Sequence, residues 1–200
     1  MMDDPAGGKP SVRIGGGDAL QNLLRAAGSV PGPRPVETWD PPYCGDIGLA
    51  ILADGTWEYQ GSAIARPAMV KLFASILRKD ADGRTYLVTP AEKVDCKVAD
   101  AHFLAVELAV SGAGERQILT FRTNADDVVT AGAGHPLRFQ RQIGSGGLKP
   151  YIRVRGRLEA LVTRAIYLDL VELAVSNGEG DVIGVWSDGV WWPLADRPAY

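Results

Sequence analysis

The chain carries one pattern twice, at an offset of 98 residues. Arg66-Pro67-Ala68-Met69-Val70-Lys71-Leu72-Phe73 lies over Arg164-Ala165-Ile166-Tyr167-Leu168-Asp169-Leu170-Val171, and Tyr86-Leu87-Val88-Thr89 lies over Gly184-Val185-Trp186-Ser187. Each copy reads as a helix entered at an arginine, a polar turn, and a strand ending in a hydroxyl residue. Solenoid repeats run at roughly 20 to 50 residues, so a period this long implies two copies of a small domain. The interface between two such copies is a common place for a ligand.

Two hundred residues, 46% hydrophobic and 22% charged, suffice for a buried core, and the net charge of −3 argues against holding nucleic acid mainly by counterion release. No run approaches the roughly 20 apolar residues of a membrane span, and the N-terminus lacks a signal-peptide pattern, so the expected address is the cytoplasm. Cys44 and Cys96 are too few for a disulfide framework and are expected to be free thiols.

Residues 1–34 read as a mobile tail with one short helix, capped at Asp18 and apolar along Leu20, Leu23, Leu24 and Ala27, followed by a stiff connector at Pro31, Pro33 and Pro35. A first domain is expected over residues 35–94. Ile47, Leu49 and Ile51 alternate into Asp54-Gly55, and Trp57 and Tyr59 alternate out again, which predicts a hairpin. Pro67 opens a helix whose apolar stripe runs from Met69 to Leu77, with Arg78 and Lys79 at its C-terminal dipole, and Tyr86–Thr89 is the next strand.

A second domain is expected over 95–200. Phe103 to Val110 predicts a strand buried on both faces, turning at Gly112–Gly114 into Ile118–Thr123. Short strands follow at 136–140 and 151–154, then a helix from about Leu158 to Val175, in one piece or two, and a hairpin turning at Asp188-Gly189. Strands packed on one helix per unit give an α+β class with two related small domains.

No catalytic signature stands out. His102 opens an apolar strand and reads as structural, while His135, beside Pro136, is the better functional candidate. Cys44, His135 and Asn124 have no local nucleophile signature, and the glycine runs at 15–17 and 144–147 lack the context of a phosphate loop. No metal or cofactor is expected. Phe121-Arg122-Thr123-Asn124-Ala125-Asp126-Asp127 crowds donors and acceptors at a strand end, and Arg153, Arg155, Arg157 and Arg164 form a cationic cluster around the start of the second helix. Trp57, Trp186, Trp191 and Trp192 read as core and cross-strand packing rather than base-stacking surfaces.

Trp39-Asp40-Pro41-Pro42, Cys44-Gly45-Asp46-Ile47, Asp54-Gly55-Thr56-Trp57, Val88-Thr89-Pro90-Ala91-Glu92-Lys93, Phe121-Arg122-Thr123-Asn124 and His135-Pro136-Leu137 together resemble the proteobacterial family known as domain of unknown function 1285, from about Trp39 to Leu194. The resemblance implies a duplicated two-domain core, a C-terminal domain like a pleckstrin-homology fold in the form of a partly open barrel, and a site at the domain interface for a nucleotide-like ligand with a signalling role. The polar residues expected there are Arg122, Thr123, Asn124, His135, Arg155 and Arg164, with Glu92 and Lys93 from the junction. The leading expectation is a sensory protein that binds an anionic small molecule. An enzyme using Glu92 or His135 as acid or base, and a protein-interaction module with a protein partner, stand as alternatives.

Overall fold

The computed structural model describes residues 16–29, 34–142, 144, 146–176 and 182–195. Helix α1 (Gly16–Gly28) lays Leu23 and Ala27 into the core and packs against helix α2 (Pro67–Ser75). Arg34 donates from Nε and Nη2 to the Ala27 carbonyl at 3.3 and 3.1 Å, so the chain after the connector is fastened to the end of α1. Most of the Pro31 and Pro33 connector lies outside the described residues.

The first sheet holds β1 (Leu49–Ile51), β2 (Trp57–Tyr59), β3 (Ser62–Ala63), β4 (Leu77–Lys79), β5 (Thr85–Val88) and β6 (Lys93–Val98), in the order β3-β2-β1-β6-β5-β4. The β1–β2 hairpin turns at Asp54-Gly55 with Gly55 at φ +82°, the left-handed conformation that the Asp-Gly pair predicts. Helix α2 starts at Pro67 but stops at Ser75, and Leu77-Arg78-Lys79 is a strand paired with Leu87-Tyr86-Thr85, not a helical last turn. The apolar stripe misleads because the helix end and the strand start face one core: Phe73, Ile76 and Leu77 are all fully buried. Strand β6, which the sequence reading passed over, lies between β5 and β1 and runs parallel to β1.

The second sheet holds β7 (Phe103–Ser111), β8 (Ile118–Thr123), β9 (Val128–Thr130), β10 (Leu137–Arg141), β11 (Leu148–Arg155) and β12 (Leu158–Val162), in the order β10-β11-β12-β7-β8-β9. Helix α3 (Arg164–Glu172) packs beside β7, and β13 (Val175–Ser176), β14 (Ile183–Ser187) and β15 (Val190–Pro193) form a small third sheet. The expected helix from Leu158 is a strand as far as Val162. Its period is two: Leu158, Ala160 and Val162 are buried while Glu159 and Leu161 are less so. Strand β7 is buried on both faces only at its start. Its parallel partner β12 ends opposite Ala105, and beyond the register shift there Val106 and Val110 are 38% and 44% exposed.

Both sheets have the same plan, two three-stranded meanders joined by a parallel pairing of the first strand with the last. They curl as half-barrels in an α+β, two-domain architecture. The shared plan sets β1–β6 over β7–β12. Helix α2 lies between the meanders of the first sheet and α3 follows the last strand of the second, so the two helices aligned by the offset of 98 are not equivalent in the topology. One apolar cluster nevertheless runs through both units, from Leu23, Phe73 and Leu87 to Phe121, Ile166 and Trp192.

Candidate functional site

Strand β6 leads into β7 through four residues, Ala99 to His102, and a cavity of about 330 Å³ opens at this junction. Lys79 of β4 and Thr85 of β5 are register partners across the Asp82-Gly83 turn, so they contribute to one wall. Arg84, Asp95, Lys97, Asp100 and His102 complete the polar lining. His102 and Thr85 are 6% and 7% exposed. The Glu159 amide donates to His102 Nδ1 at 3.1 Å, which leaves the proton on Nε2 to donate to Thr85 Oγ1 at 3.1 Å. The His102 amide in turn donates to the Glu159 carbonyl at 3.1 Å. One histidine therefore joins a strand of the first domain to a strand of the second.

The chain of contacts continues. The Glu159 carboxylate accepts two bonds from the Arg138 guanidinium, at 2.8 and 2.6 Å, and that guanidinium lies over the Tyr151 ring at 4.2 Å. Tyr151 and Lys149 both donate to Asp100, at 2.6 and 2.7 Å, and Asp100 lines the cavity where the chain began. Burial, reinforced by the Lys79 ammonium, pushes the His102 pKa down to about 4, so it is a neutral imidazole at neutral pH. Burial pushes the Asp100 carboxyl up, but the bonds from Lys149 and Tyr151 together outweigh it and hold it below the ordinary aspartate value. Burial pushes the Cys96 thiol up to about 12, with the Asp95 and Asp46 carboxylates adding to it, so Cys96 is an inert thiol.

The other cations at the cavity have partners of their own. Arg84 pairs with Asp95 at 2.5 Å and Lys97 with Asp46 at 2.8 Å. Lys79 forms no ion pair among the described residues, and it is the cation left to meet a negative charge.

The eight residues expected from the sequence fall in four places. Arg122, Thr123, Asn124 and Arg155 come together at the domain interface, around the β8–β9 turn and the end of α2. Arg122 is held by Glu107 and, at 3.0 Å, by Asp126, which also meets Lys71 of α2. Thr123 is fully buried, and its Oγ1 accepts from the Ala125 and Asp127 amides at 3.2 and 3.1 Å. Asn124 exchanges bonds with the Leu104 backbone, its amide donating to the carbonyl at 2.9 Å and its Oδ1 accepting from the Leu104 amide at 3.1 Å. Arg155 donates to Asp127 at 2.7 Å and to the Ala74 carbonyl at 2.5 Å, binding the last turn of α2 to the second domain.

Glu92 and Lys93 sit elsewhere on the first domain. The Glu92 amide and carbonyl close a turn on Thr89, and burial pushes its carboxyl up; Lys93 meets Asp80 at 3.1 Å and the Tyr86 ring at 4.5 Å. His135 donates from Nδ1 to the Arg153 carbonyl at 3.0 Å. Arg164, exposed in the first turn of α3, lines a separate groove. The expected arginine cluster is dispersed, because the intervening segment is a strand and not a helix: Arg153 and Arg155 are on β11, Arg157 is in the next turn and Arg164 is on α3. Trp57 stacks on Phe73 in the core and Trp186 packs on Trp191 across the last hairpin, as expected.

Sequence reasoning missed Lys79, Arg84 and Thr85. An Asp-Gly turn between Lys79 and Thr85 was the available signal, hidden by reading Lys79 as the end of a helix.

Models of the two domains of unknown function 1285 match the chain, the N-terminal one over residues 34–101 and the C-terminal one over 102–194. The chain belongs to the DUF1285 family. The two models meet at His102, the residue that joins the sheets. A DUF1285 family protein from Silicibacter pomeroyi DSS-3, known from its crystal structure, is 45% identical, with a TM-score of 0.80 over 87% of this chain and 94% of that one. Another, from Shewanella baltica OS155, is 26% identical, with a TM-score of 0.49 over 62% of this chain and 91% of that one. No curated protein matches. Among the described residues no helix is long and apolar enough to cross a membrane.

Proposed function

We propose that this DUF1285 protein binds a small anionic metabolite of nucleotide-like chemistry in the junction cavity and passes its occupancy to the second domain. The observation that carries this reading is Lys79, which has no ion pair among the described residues, beside Thr85 and a neutral His102 whose other nitrogen holds Glu159. A phosphate meeting Lys79 would accept from the Arg84 and Thr85 side as well, since charge-assisted bonds are the strong ones. At about 330 Å³ the cavity is at the small end of the usual range of roughly 300–1,000 Å³, which suits a mononucleotide better than a dinucleotide.

Binding fits this chemistry better than catalysis. A histidine with a pKa of about 4 and a thiol near 12 are both far from the near-neutral values that acid–base work uses. The connectivity supports a signalling role: a ligand that displaces Thr85 or His102 would pull on Glu159 and, through it, on Arg138.

The test is a thermal-shift screen against nucleoside monophosphates, cyclic mononucleotides and cyclic dinucleotides. A ligand at about 100 times its Kd adds roughly 2.7 kcal/mol of stability. A mononucleotide should raise Tm, and Lys79→Ala should abolish the rise while leaving the ligand-free Tm unchanged. A shift that survives Lys79→Ala would place the ligand elsewhere.

A further inference from the structure

A second cavity, of about 480 Å³, lies between the start of α3 and the sheet. Leu148, Pro150 and Leu161 line it from β11 and β12, and Tyr167 and Leu168 line it from the helix. Leu168 is 53% exposed, so a ligand that covered it would gain apolar burial. Two cations stand at the same cavity. Lys149 is taken by Asp100 at 2.7 Å, whereas Arg164 is exposed and forms no ion pair among the described residues. An apolar cleft with one or a few placed polar groups is the usual form of a small-molecule site. Its charge pattern selects the occupant. An apolar body covers Leu161 and Leu168, and a single carboxylate meets the planar Arg164 fork, which matches that group with two parallel bonds.

We infer that this groove is a binding site for a small amphiphilic carboxylate, a short aliphatic acid whose tail lies on Leu161 and Leu168 and whose head pairs with Arg164. It is a different cavity from the one at the junction, although Lys149 on its wall pairs with Asp100 on the wall of the other, and the site at Arg164 does not rest on the nucleotide reading.

Isothermal titration of the full chain with octanoate and with octan-1-ol tests it, using Arg164→Ala and Leu168→Glu variants whose fold is checked by circular dichroism. Octanoate should bind saturably at one site, and Arg164→Ala should weaken it by about tenfold while changing octanol by less than about twofold. Leu168→Glu should weaken both. The inference is overturned if octanoate does not saturate, if both variants bind it as the wild type does, or if a peptide with acidic and apolar residues binds where the free acid does not.

Discussion

His102 carries charge information at the scale of one residue. Its folded pKa is depressed to about 4 from an ordinary 6.5, so between those values the unfolded chain binds more protons than the folded one. Stability from this residue is therefore fully present above about pH 6.5 and is lost as pH falls towards 4, by on the order of 3 kcal/mol. Urea denaturation of wild type and His102→Asn between pH 4 and 7.5 should show a shallower acid slope in the variant, whose amide oxygen still accepts from Glu159. Equal slopes would remove His102 as the source. Arg138 is 5% exposed and holds Glu159 with two bonds. Arg138→Ala leaves that part-buried carboxylate without its partner and should cost about 2–3 kcal/mol by the same denaturation measurement.

Turns and element ends carry the contact between domains. Gly55 has φ +82°, and a Cβ there would lie 2.9 Å from Leu104 Cδ1 and 3.1 Å from Asn124 Nδ2, so the hairpin of the first domain fits against the strand end of the second only as glycine. Gly55→Ala should cost at least about 1 kcal/mol in a chemical melt, and an unchanged midpoint would show that the two turns do not need this fit. Asn124→Ala removes the side-chain acceptor of the Leu104 amide and should cost about 1–2 kcal/mol.

These elements also show where local pattern suffices. The Asp-Gly hairpins and the Ile118–Thr123 strand follow from alternation and turn chemistry, and the structure has them. Ile76-Leu77 and Leu158–Val162 did not yield to that reasoning, because both segments satisfy a helical stripe and a strand alternation equally well. Only pairing with Leu87 and with Phe103 decides between the two. The site was hidden for the same reason: Thr85, His102 and Glu159 are up to 74 positions apart, and only the sheet order brings them together.

The whole molecule is two half-barrels with one core and one polar chain between them. Arg155 adds a third tie by holding both Asp127 and the end of α2. Calorimetry should therefore give a single transition whose calorimetric and van't Hoff enthalpies agree, and two resolved transitions would mean that the shared cluster does not couple the domains. Under the proposed function, this coupling would carry occupancy of the junction cavity to the second domain.

The decisive measurement is imidazole nitrogen NMR on histidine-labelled protein, titrated with the mononucleotide that gives the largest thermal shift. The chain has only two histidines, so His102 and His135 are told apart by one substitution. Ligand at the junction should move the His102 Nε2 resonance, leave His135 in place, and lose its effect in Lys79→Ala. A bound nucleotide that leaves His102 unmoved would contradict both the position of the site and its link to the second domain.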